Sequence, residues 1–334
     1  MRRETPVPLD RGRFPDAVTP WEDETWRSAA LGWVTDALTA RGLRPTGEWR
    51  VRLRPWSVLV RLPVEGRGAV WFKANPPASA FEGPLTAALA RWVPEHVLEP
   101  LAVHAGRGWS LLPDGGPLFR DVLDEGPVGP EAAGPGAWEE LVRQYAALQH
   151  ALAPRAREIT RLGVPHTPVT ALPGFLDRLD DTPLRPEDRG RLRLLRPRLL
   201  EWCARLAALG VPDSLDHADL HDGQAFRPAP GRFTFFDWGD AVVSHPFCGL
   251  AVPARRARER YGPQVLPRLR DAYLEQWTGA GRSGAELRRA VRLAWRLSAL
   301  SRAGAYGRLF PASGTEVAAE GARCLLELLD DPPL

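Results

Sequence analysis

Two short stretches of the chain place acidic side chains where they could hold a divalent metal ion. The first is SLDHADLHDGQAF, in which Asp219 stands between His217 and His221. The second is RFTFFDWGDA, in which Asp237 ends a strongly apolar segment. A carboxylate at the end of an apolar strand is costly unless a cation or hydrogen-bond donors meet it. The residues alone also permit another interpretation, in which Asp237 caps a turn before Gly239 and the histidines pack in the core.

Lys73, in the stretch AVWFKANPP, is the only lysine in the sequence. Lysines and arginines together number 44, so arginine supplies every other side-chain cation of this kind. Lysine carries a compact charge with three rotatable donors on a slim stem, whereas arginine presents a wide planar fork. A phosphate site reached through a narrow gap would require the slimmer side chain. Lys73 is therefore a candidate phosphate ligand.

Sequence periodicity predicts the elements that carry Lys73. Alternating residues predict strands over EWRVRLRP, WSVLVRLPV and AVWFKA, with a turn at EGRG. Before them, TPWEDETWRSAALGWVTDALTARG offers an N-cap threonine, early acids and helical spacing. After them, SAFEGPLTAALARWV predicts a helix, and LAVHAG and GWSLLP predict two short strands.

The rest of the chain is predicted to be mainly helical. The pattern favours helices over AWEELVRQYAALQHALA, over a single long RGRLRLLRPRLLEWCARLAALG and over several arginine-rich segments, with RFTFFDW as the one clear strand. This order predicts an α+β fold with a loose tail over residues 1–20, an antiparallel-sheet lobe over residues 21–115 and a larger helical lobe over residues 116–334. The glycine and proline residues of 125–136 predict a connecting loop.

Composition narrows the class of protein. With 334 residues and 36.9 kDa, the chain is long enough for two lobes. A net charge of +3, without a basic tail or a stripe of lysines and aromatics, gives no case for nucleic-acid binding. Three widely spaced cysteines predict neither a disulfide framework nor a zinc knuckle. No segment has the pattern of a signal peptide or a membrane span, so we expect a cytoplasmic protein.

The candidate residues, taken in order, resemble a known family of small-molecule kinases. The set consists of Lys73 on a strand, Glu82 in the next helix, His217-x-Asp219, Gln224 and Asp237-Trp238-Gly239. Its order and spacing are similar to those of the aminoglycoside phosphotransferase and choline kinase family, over about Trp56 to Leu250. The resemblance implies the two-lobed protein-kinase-like fold.

The resemblance also implies an ATP-dependent kinase that uses Mg2+ to transfer a γ-phosphate to a hydroxyl group of a small molecule. In this interpretation Lys73 holds the α and β phosphates and pairs with Glu82. Asp219 orients the substrate hydroxyl and accepts its proton, and Asp237 and Gln224 bind magnesium. The implied hinge beside the adenine consists of Leu111, Leu112 and Pro113. Magnesium commonly takes one or two carboxylates together with phosphates and water, which suits this set.

Two features depart from the family pattern. Gln224 stands where the family has asparagine, and its extra methylene displaces the amide by about 1.5 Å, one bond length. Because catalytic geometry is sensitive to about 1 Å, either the backbone compensates or one metal ion binds instead of two. No glycine-rich motif precedes Lys73, so Pro55, Trp56 and Ser57 would have to cover the phosphates. Ser57 is the candidate donor, with a solvated serine at a strand bend as the alternative.

Three functions remain open at this point. The first is the phosphotransferase, and the second is a nucleotide-binding pseudokinase or regulatory module without turnover, motivated by Gln224 and the missing glycine loop. The third treats HADLHD as the metal cluster of a hydrolase, which leaves Lys73 and Asp237 unexplained.

The arginines after Asp240 give information about the charge of the molecule that would accept the phosphate. A polycation such as an aminoglycoside calls for an acid-lined site, whereas the later helical segments carry many arginines. Solvated helix faces are the favoured explanation of those arginines. Their excess mildly disfavours a polycationic acceptor and leaves room for a neutral or anionic small molecule. We expect neither nucleic acid nor a membrane as partner, and the oligomeric state stays open.

Overall fold

The computed structural model describes residues 9–125, 134–279, 281–311 and 315–334. Residues 1–8 of the predicted tail and residues 126–133 of the predicted connecting loop lie outside this set. The chain divides into two compact units. The first unit comprises Met1–Asp114 and Arg308–Thr315, and the second comprises Gly115–Gly307 and Glu316–Leu334.

A six-stranded sheet forms the centre of the first unit. Its strands are β1 (Leu9–Asp10), β2 (Arg50–Arg54), β3 (Ser57–Val64), β4 (Arg67–Ala74), β5 (Ala102–His104) and β6 (Trp109–Pro113). Their spatial order is β1-β2-β3-β4-β6-β5. The pairing of β1 with β2 is parallel and the other pairings are antiparallel. The strands predicted around Lys73 are confirmed.

Two helices pack with this sheet, α1 (Glu24–Thr39) and α2 (Glu82–Trp92). Asp23, rather than the predicted threonine, caps α1 by accepting hydrogen bonds from the backbone amides of Thr25 and Trp26. Thr19 instead caps the short 3-10 turn that precedes α1. Alternation along β3 turns every second side chain inward. The buried core of the sheet includes Val58, Val60, Leu62, Val34 of α1 and Phe310. Phe310 comes from the late segment of the chain that belongs to this unit.

Part of the predicted loose tail has regular structure. Leu9 and Asp10 lie opposite Val51 and Arg52 of β2. Two residues are too short a run for any periodicity to signal, and the pairing depends on a strand some forty residues later in the chain.

The remaining elements are mainly helical. The helices are α3 (Phe119–Asp124), α4 (Pro135–Leu152), α5 (Ala156–Arg161), α6 (Pro186–Leu194), α7 (Arg196–Ala207), α8 (Ala251–Tyr261), α9 (Leu266–Leu274), α10 (Gly284–Ala305) and α11 (Thr315–Leu326). The strands are β7 (Ser214–Asp216), β8 (Ala225–Ala229), β9 (Arg232–Phe235) and β10 (Val242–Ser244). Pairs β7–β10 and β8–β9 are antiparallel. The predicted α+β class is confirmed. Within the described residues, no helix has both the length and the apolar character needed to cross a bilayer.

Two predictions for this region were wrong in detail. The single long helix is two helices, α6 and α7, because Pro197 near the start of α7 lacks the N–H that would continue the earlier helix. One strand was predicted, whereas four are present among the described residues. Strands β7 and β10 have three residues each, which is too few for an alternating pattern to register.

Candidate active site

Lys73 of β4 and Glu82 at the start of α2 form a buried ion pair. The Lys73 Nζ atom lies 2.8 Å from Glu82 Oε1 and 2.7 Å from Glu82 Oε2. Both side chains are almost fully removed from solvent, with exposures of 6% and 3%. Two charges in a low-dielectric interior require such close contact, since an unpaired buried charge is strongly unfavourable. The lysine is therefore held in one position.

Gly83 allows α2 to start close enough to the sheet for this pair to form. A Cβ atom at this position would lie 2.6 Å from Ser110 Oγ and 2.9 Å from Val103 Cγ1. Ser110 is also the residue opposite Lys73 across the β4–β6 pairing. A larger residue at Gly83 would push the helix, and Glu82 with it, away from Lys73.

The predicted hinge and phosphate-covering residues lie at the ends of two strands, β6 and β3, that flank β4 in the sheet. Leu111, Leu112 and Pro113 end β6, with Leu111 buried and the other two partly exposed. Ser57 is the first residue of β3 and is also buried, whereas Trp56 in the preceding turn is exposed. The nucleotide-binding roles of these residues stay predictions.

Asp219 lies in the loop between β7 and β8, and the buried ring of His217 anchors that loop. His217 Nε2 lies 2.8 Å from the Phe236 carbonyl oxygen, which makes Nε2 the protonated donor. The ring also packs against Trp238, with 4.7 Å between centroids. Burial lowers the pKa of His217, so the ring is neutral at pH 7. The hydrogen bond therefore ties the Asp219 loop to the segment just before Asp237.

Gln224 and Asp237 meet at one end of the β8–β9 hairpin. Ala225 is opposite Phe235, and the Phe236 amide donates to the Gln224 carbonyl oxygen at 3.2 Å. Asp237 has φ 66° and ψ 58°, a left-handed conformation that is uncommon for a residue with a Cβ. The second unit therefore carries Asp219, Gln224 and Asp237 on segments that hydrogen bonds to Phe236 connect, while Lys73 and Glu82 form their pair within the first unit.

His221 faces the carboxylate of Asp219. The Gly223 amide donates to His221 Nδ1 at 2.9 Å, so the proton of the neutral ring is on Nε2. That Nε2 atom lies 3.7 Å from Asp219 Oδ2. Arg120 donates to Asp222 at 2.9 Å on the other side of the ring. Burial alone would raise the pKa of Asp222, but the hydrogen bond and the positive charge of Arg120 hold it well below its ordinary value.

Sequence reasoning missed Asp216, Tyr145 and Arg120, which all contact this loop. Asp216 stands directly before His217, and its position as a second acid in SLDHADL was the available signal. Tyr145 and Arg120 are about 70 and 100 residues away in sequence, within helices whose pattern predicts only packing.

The donor set near Asp237 suits a hard cation. Asp237 and Gln224 offer a carboxylate and an amide oxygen, which are ligands that Mg2+ prefers. In the part of the chain that the structure describes, no group of three or more histidine, cysteine, aspartate and glutamate side chains is arranged to hold a metal ion. His217, which the hydrolase interpretation needs as a ligand, is buried and uses Nε2 to bind Phe236 instead.

Comparisons with known proteins identify the family. Residues 40–287 match the model of the phosphotransferase enzyme family. Among solved structures, macrolide 2'-phosphotransferase MphH from Brachybacterium faecium matches 89% of this chain and 98% of its own, with TM-score 0.56 and 18% identity. Plasmodium vivax ethanolamine kinase covers 91% of this chain and 88% of its own, with TM-score 0.59 and 13% identity. A GDP complex of aminoglycoside 2'-phosphotransferase-IIIa covers 89% of this chain and 97% of its own, with TM-score 0.53 and 17% identity. No curated protein matches significantly. The chain therefore belongs to the phosphotransferase enzyme family and has the protein-kinase-like fold that its motif order predicts.

Proposed function

We propose that this protein is a small-molecule kinase that transfers the γ-phosphate of ATP to a hydroxyl group, assisted by Mg2+. The observation that supports this most directly is the His217–Phe236 hydrogen bond, which joins the loop of Asp219 to the segment of Asp237 beside Gln224. Family membership supports phosphotransfer. ATP, Mg2+ and the roles of the individual residues are our proposals.

Asp237 and Gln224 are the proposed magnesium ligands. Asp237 lies two residues after the end of β9 in a left-handed conformation, and such strain persists only when surrounding structure fixes it. The ladder contact between Phe236 and Gln224 places the amide-bearing residue beside it. When bound, the cation would neutralise negative charge on the phosphates during transfer.

Lys73 is the proposed ligand of the α and β phosphates. Glu82 contacts its ammonium group with both carboxylate oxygens, so the cation is positioned before any nucleotide arrives. A ligand site that is already ordered loses less conformational entropy on binding. Leu111, Leu112 and Pro113 stay the proposed adenine hinge, and Ser57 stays a proposed phosphate contact.

Asp219 is the proposed base. Phosphoryl transfer passes through a loose transition state, so the protein mainly positions groups and balances charge. The Asp219 carboxylate would orient the substrate hydroxyl and accept its proton late in the transfer, which requires no raised pKa. His221 Nε2 lies 3.7 Å from one oxygen of the same carboxylate.

The acceptor is proposed to be neutral or anionic rather than polycationic. Many of the arginines that suggested this are matched by acids on the helix surfaces, as in the pairs Arg256–Glu259, Arg268–Glu139 and Arg288–Asp271. These pairs favour the interpretation of solvated helix faces and reduce the weight of the arginine excess. Tight binding of a kanamycin-like polycation would overturn this preference. The predicted cytoplasmic location stays a prediction.

The first experiment is a thermal-shift measurement with ATP alone, Mg2+ alone and both together. It compares the wild type with Asp237→Ala and with Asp271→Ala, a surface carboxylate on α9 that contacts Arg288. Ligand at about 100 times its dissociation constant should add roughly 2.7 kcal/mol of stability. We expect stabilisation that needs both ligands, disappears in Asp237→Ala and persists in Asp271→Ala.

Two outcomes would count against the proposal. The absence of any shift in the wild type would contradict the proposed nucleotide site. An undiminished shift in Asp237→Ala would contradict the proposed role of Asp237 as a metal ligand. ADP release with a panel of neutral, anionic and polycationic hydroxyl compounds then identifies the acceptor class. Nucleotide binding without ADP release across the panel would instead favour the pseudokinase alternative.

A further inference from the structure

Asp216, the last residue of β7, is a fully buried carboxylate to which the proposed reaction assigns no role. Its exposure is 1%, and it lies opposite Val242 of β10. Burial raises the pKa of its side chain to about 6. A buried acid of this kind costs stability, so its retention calls for an explanation from its contacts.

The contacts of Asp216 converge on the residues just before Asp219. Asp216 Oδ1 accepts a hydrogen bond from the Ala218 amide at 2.9 Å and from the Tyr145 hydroxyl at 3.3 Å. The same hydroxyl oxygen accepts from the His217 amide at 2.9 Å. Asp216 and Tyr145 thus bind the two consecutive amides that precede Asp219. Ser244 donates to Asp216 Oδ2 at 3.4 Å.

Tyr145 is itself fixed by buried side chains. Gln149, one turn later on α4, donates to the Tyr145 oxygen at 3.2 Å and to the Leu215 carbonyl at 2.9 Å. Tyr273 of α9 donates to Gln149 Oε1 at 2.5 Å. Burial, followed by the charge of Asp216, raises the pKa of Tyr145 far above its ordinary value, so its O–H stays a donor. The network is tightly packed, since a Cβ on Gly249 would lie 2.6 Å from the Tyr145 oxygen and 2.9 Å from Asp216 Oδ1.

Ala218 has the backbone conformation that needs this support. Its φ is 64°, in the left-handed region that costs a residue with a Cβ about 1–2 kcal/mol. The hydrogen bond from its amide to Asp216 Oδ1 is present in this turn and offsets part of the strain. The direction of the chain at Ala218 sets where the next residue, Asp219, projects its carboxylate.

We propose that Asp216 is a positioning residue that holds the left-handed turn at Ala218 and thereby aims the carboxylate of Asp219. This proposal rests on the proposed role of Asp219. The Oδ1 atom holds the turn by accepting the hydrogen bond from the Ala218 amide. Asparagine retains an oxygen at that atom and alanine does not.

The test compares Asp216→Asn, Asp216→Ala and the double variant Asp216→Ala with Ala218→Gly. The matched control is Asp188→Ala, which removes another buried carboxylate, on α6, that pairs with Arg185 and Arg191. The reaction followed is MgATP hydrolysis with water as acceptor, which needs no knowledge of the physiological substrate. Amide hydrogen exchange at residues 217–219 reports the turn independently of activity.

We expect Asp216→Ala to lower kcat by on the order of 10- to 100-fold, while KM for ATP and the MgATP thermal shift change little. Asp216→Asn should keep kcat close to the wild type. The double variant should recover most of the loss, because glycine adopts positive φ without strain. Asp188→Ala should lower the melting temperature without changing kcat.

Three results would overturn the proposal: unchanged kcat in Asp216→Ala, equal losses in the asparagine and alanine variants, or equal losses in Asp216→Ala and Asp188→Ala. A wild type that releases no ADP either with water or with any hydroxyl compound of the acceptor panel would refute the proposed function itself. Amide hydrogen exchange at residues 217–219 would then still test whether Asp216 holds the turn at Ala218. Faster exchange in Asp216→Ala alone supports that role, and unchanged exchange contradicts it.

Discussion

The Nε2 atom of His217 lies 2.8 Å from the carbonyl oxygen of Phe236, and this bond connects two loops that carry different proposed duties. One loop presents Asp219, and the other leads into Asp237. Because the ring is buried and neutral, the connection does not depend on pH near 7. The relative position of the proposed base and the proposed metal ligand is therefore set by an uncharged contact in the interior of the second unit.

Replacing His217 with leucine should damage activity and stability together. The Phe236 carbonyl would lose its buried donor, which costs about 1–3 kcal/mol, and the two loops would no longer be tied. Urea unfolding and steady-state kinetics measure both effects. The control His166→Leu, at an exposed ring that pairs with Asp213, should leave kcat unchanged. Full activity in a stably folded His217→Leu protein would show that the connection is dispensable.

Lys73→Arg should reduce kcat/KM strongly, on the order of 100-fold. The guanidinium group is wider than the ammonium group and cannot occupy the same buried position between both oxygens of Glu82. Steady-state kinetics over a range of ATP concentrations provide the measurement. The control is Arg61→Lys on neighbouring β3, which makes the reverse substitution at a partly exposed position. Wild-type turnover in Lys73→Arg would show that lysine is not required there.

Asp219→Asn should abolish transfer and spare nucleotide binding. Loss of a general base typically costs roughly 10²- to 10⁴-fold, while the proposed ligands Lys73 and Asp237 are untouched. The MgATP thermal shift should therefore match that of the wild type as ADP release falls. A lost thermal shift would place Asp219 in nucleotide or metal binding instead.

Gln224→Ala should raise the Mg2+ concentration needed for stabilisation by ATP, because the site loses one oxygen ligand. Titration of Mg2+ at fixed ATP measures the change, and Gln144→Ala, which removes a glutamine on α4 that contacts Gly231, is the control. An unchanged titration would exclude Gln224 as a ligand. Gln224→Asn then distinguishes a compromised ligand, which asparagine improves, from a site built around glutamine, which asparagine weakens.

The sequence predicted the elements whose signal is local. The alternation around Lys73, the capped helix before it and the order of the acidic motifs each depend on residues close together in the chain. The pairing of Lys73 with Glu82, implied by family resemblance, is present as a buried contact. Periodicity alone would not have found it, since Glu82 lies nine residues later in a different element.

The parts that escaped prediction depend on distant or very short segments. Strand β7 has three residues and gains its structure from β10, which lies about thirty residues later. Ala218 adopts positive φ without being a glycine, so no sequence signal marks the turn. The partners that explain Asp216 are Tyr145 and Ser244, on two other elements, and only the folded chain brings them to it.

Asp216 also predicts a specific dependence of stability on pH. Its pKa is about 6 in the folded protein and 3.8 in its ordinary state, so the folded chain binds this proton more tightly than the unfolded chain does. The resulting contribution to stability is complete below about pH 4 and is lost as the pH rises through 6. At 1.36 kcal/mol per pKa unit, the full change is about 3 kcal/mol.

Asp216→Asn removes that dependence because the amide does not titrate. The unfolding free energy of Asp216→Asn, relative to that of the wild type, should therefore be highest at pH 7.5. This relative value should decrease as the pH falls from 6 to 4, because the wild type gains stability there. Urea unfolding of both proteins at matched pH values gives this difference, in which the other titrating groups cancel. A difference that stays constant from pH 4 to 7.5 would mean that Asp216 titrates normally and that its burial is balanced by the bonds from Tyr145, Ala218 and Ser244.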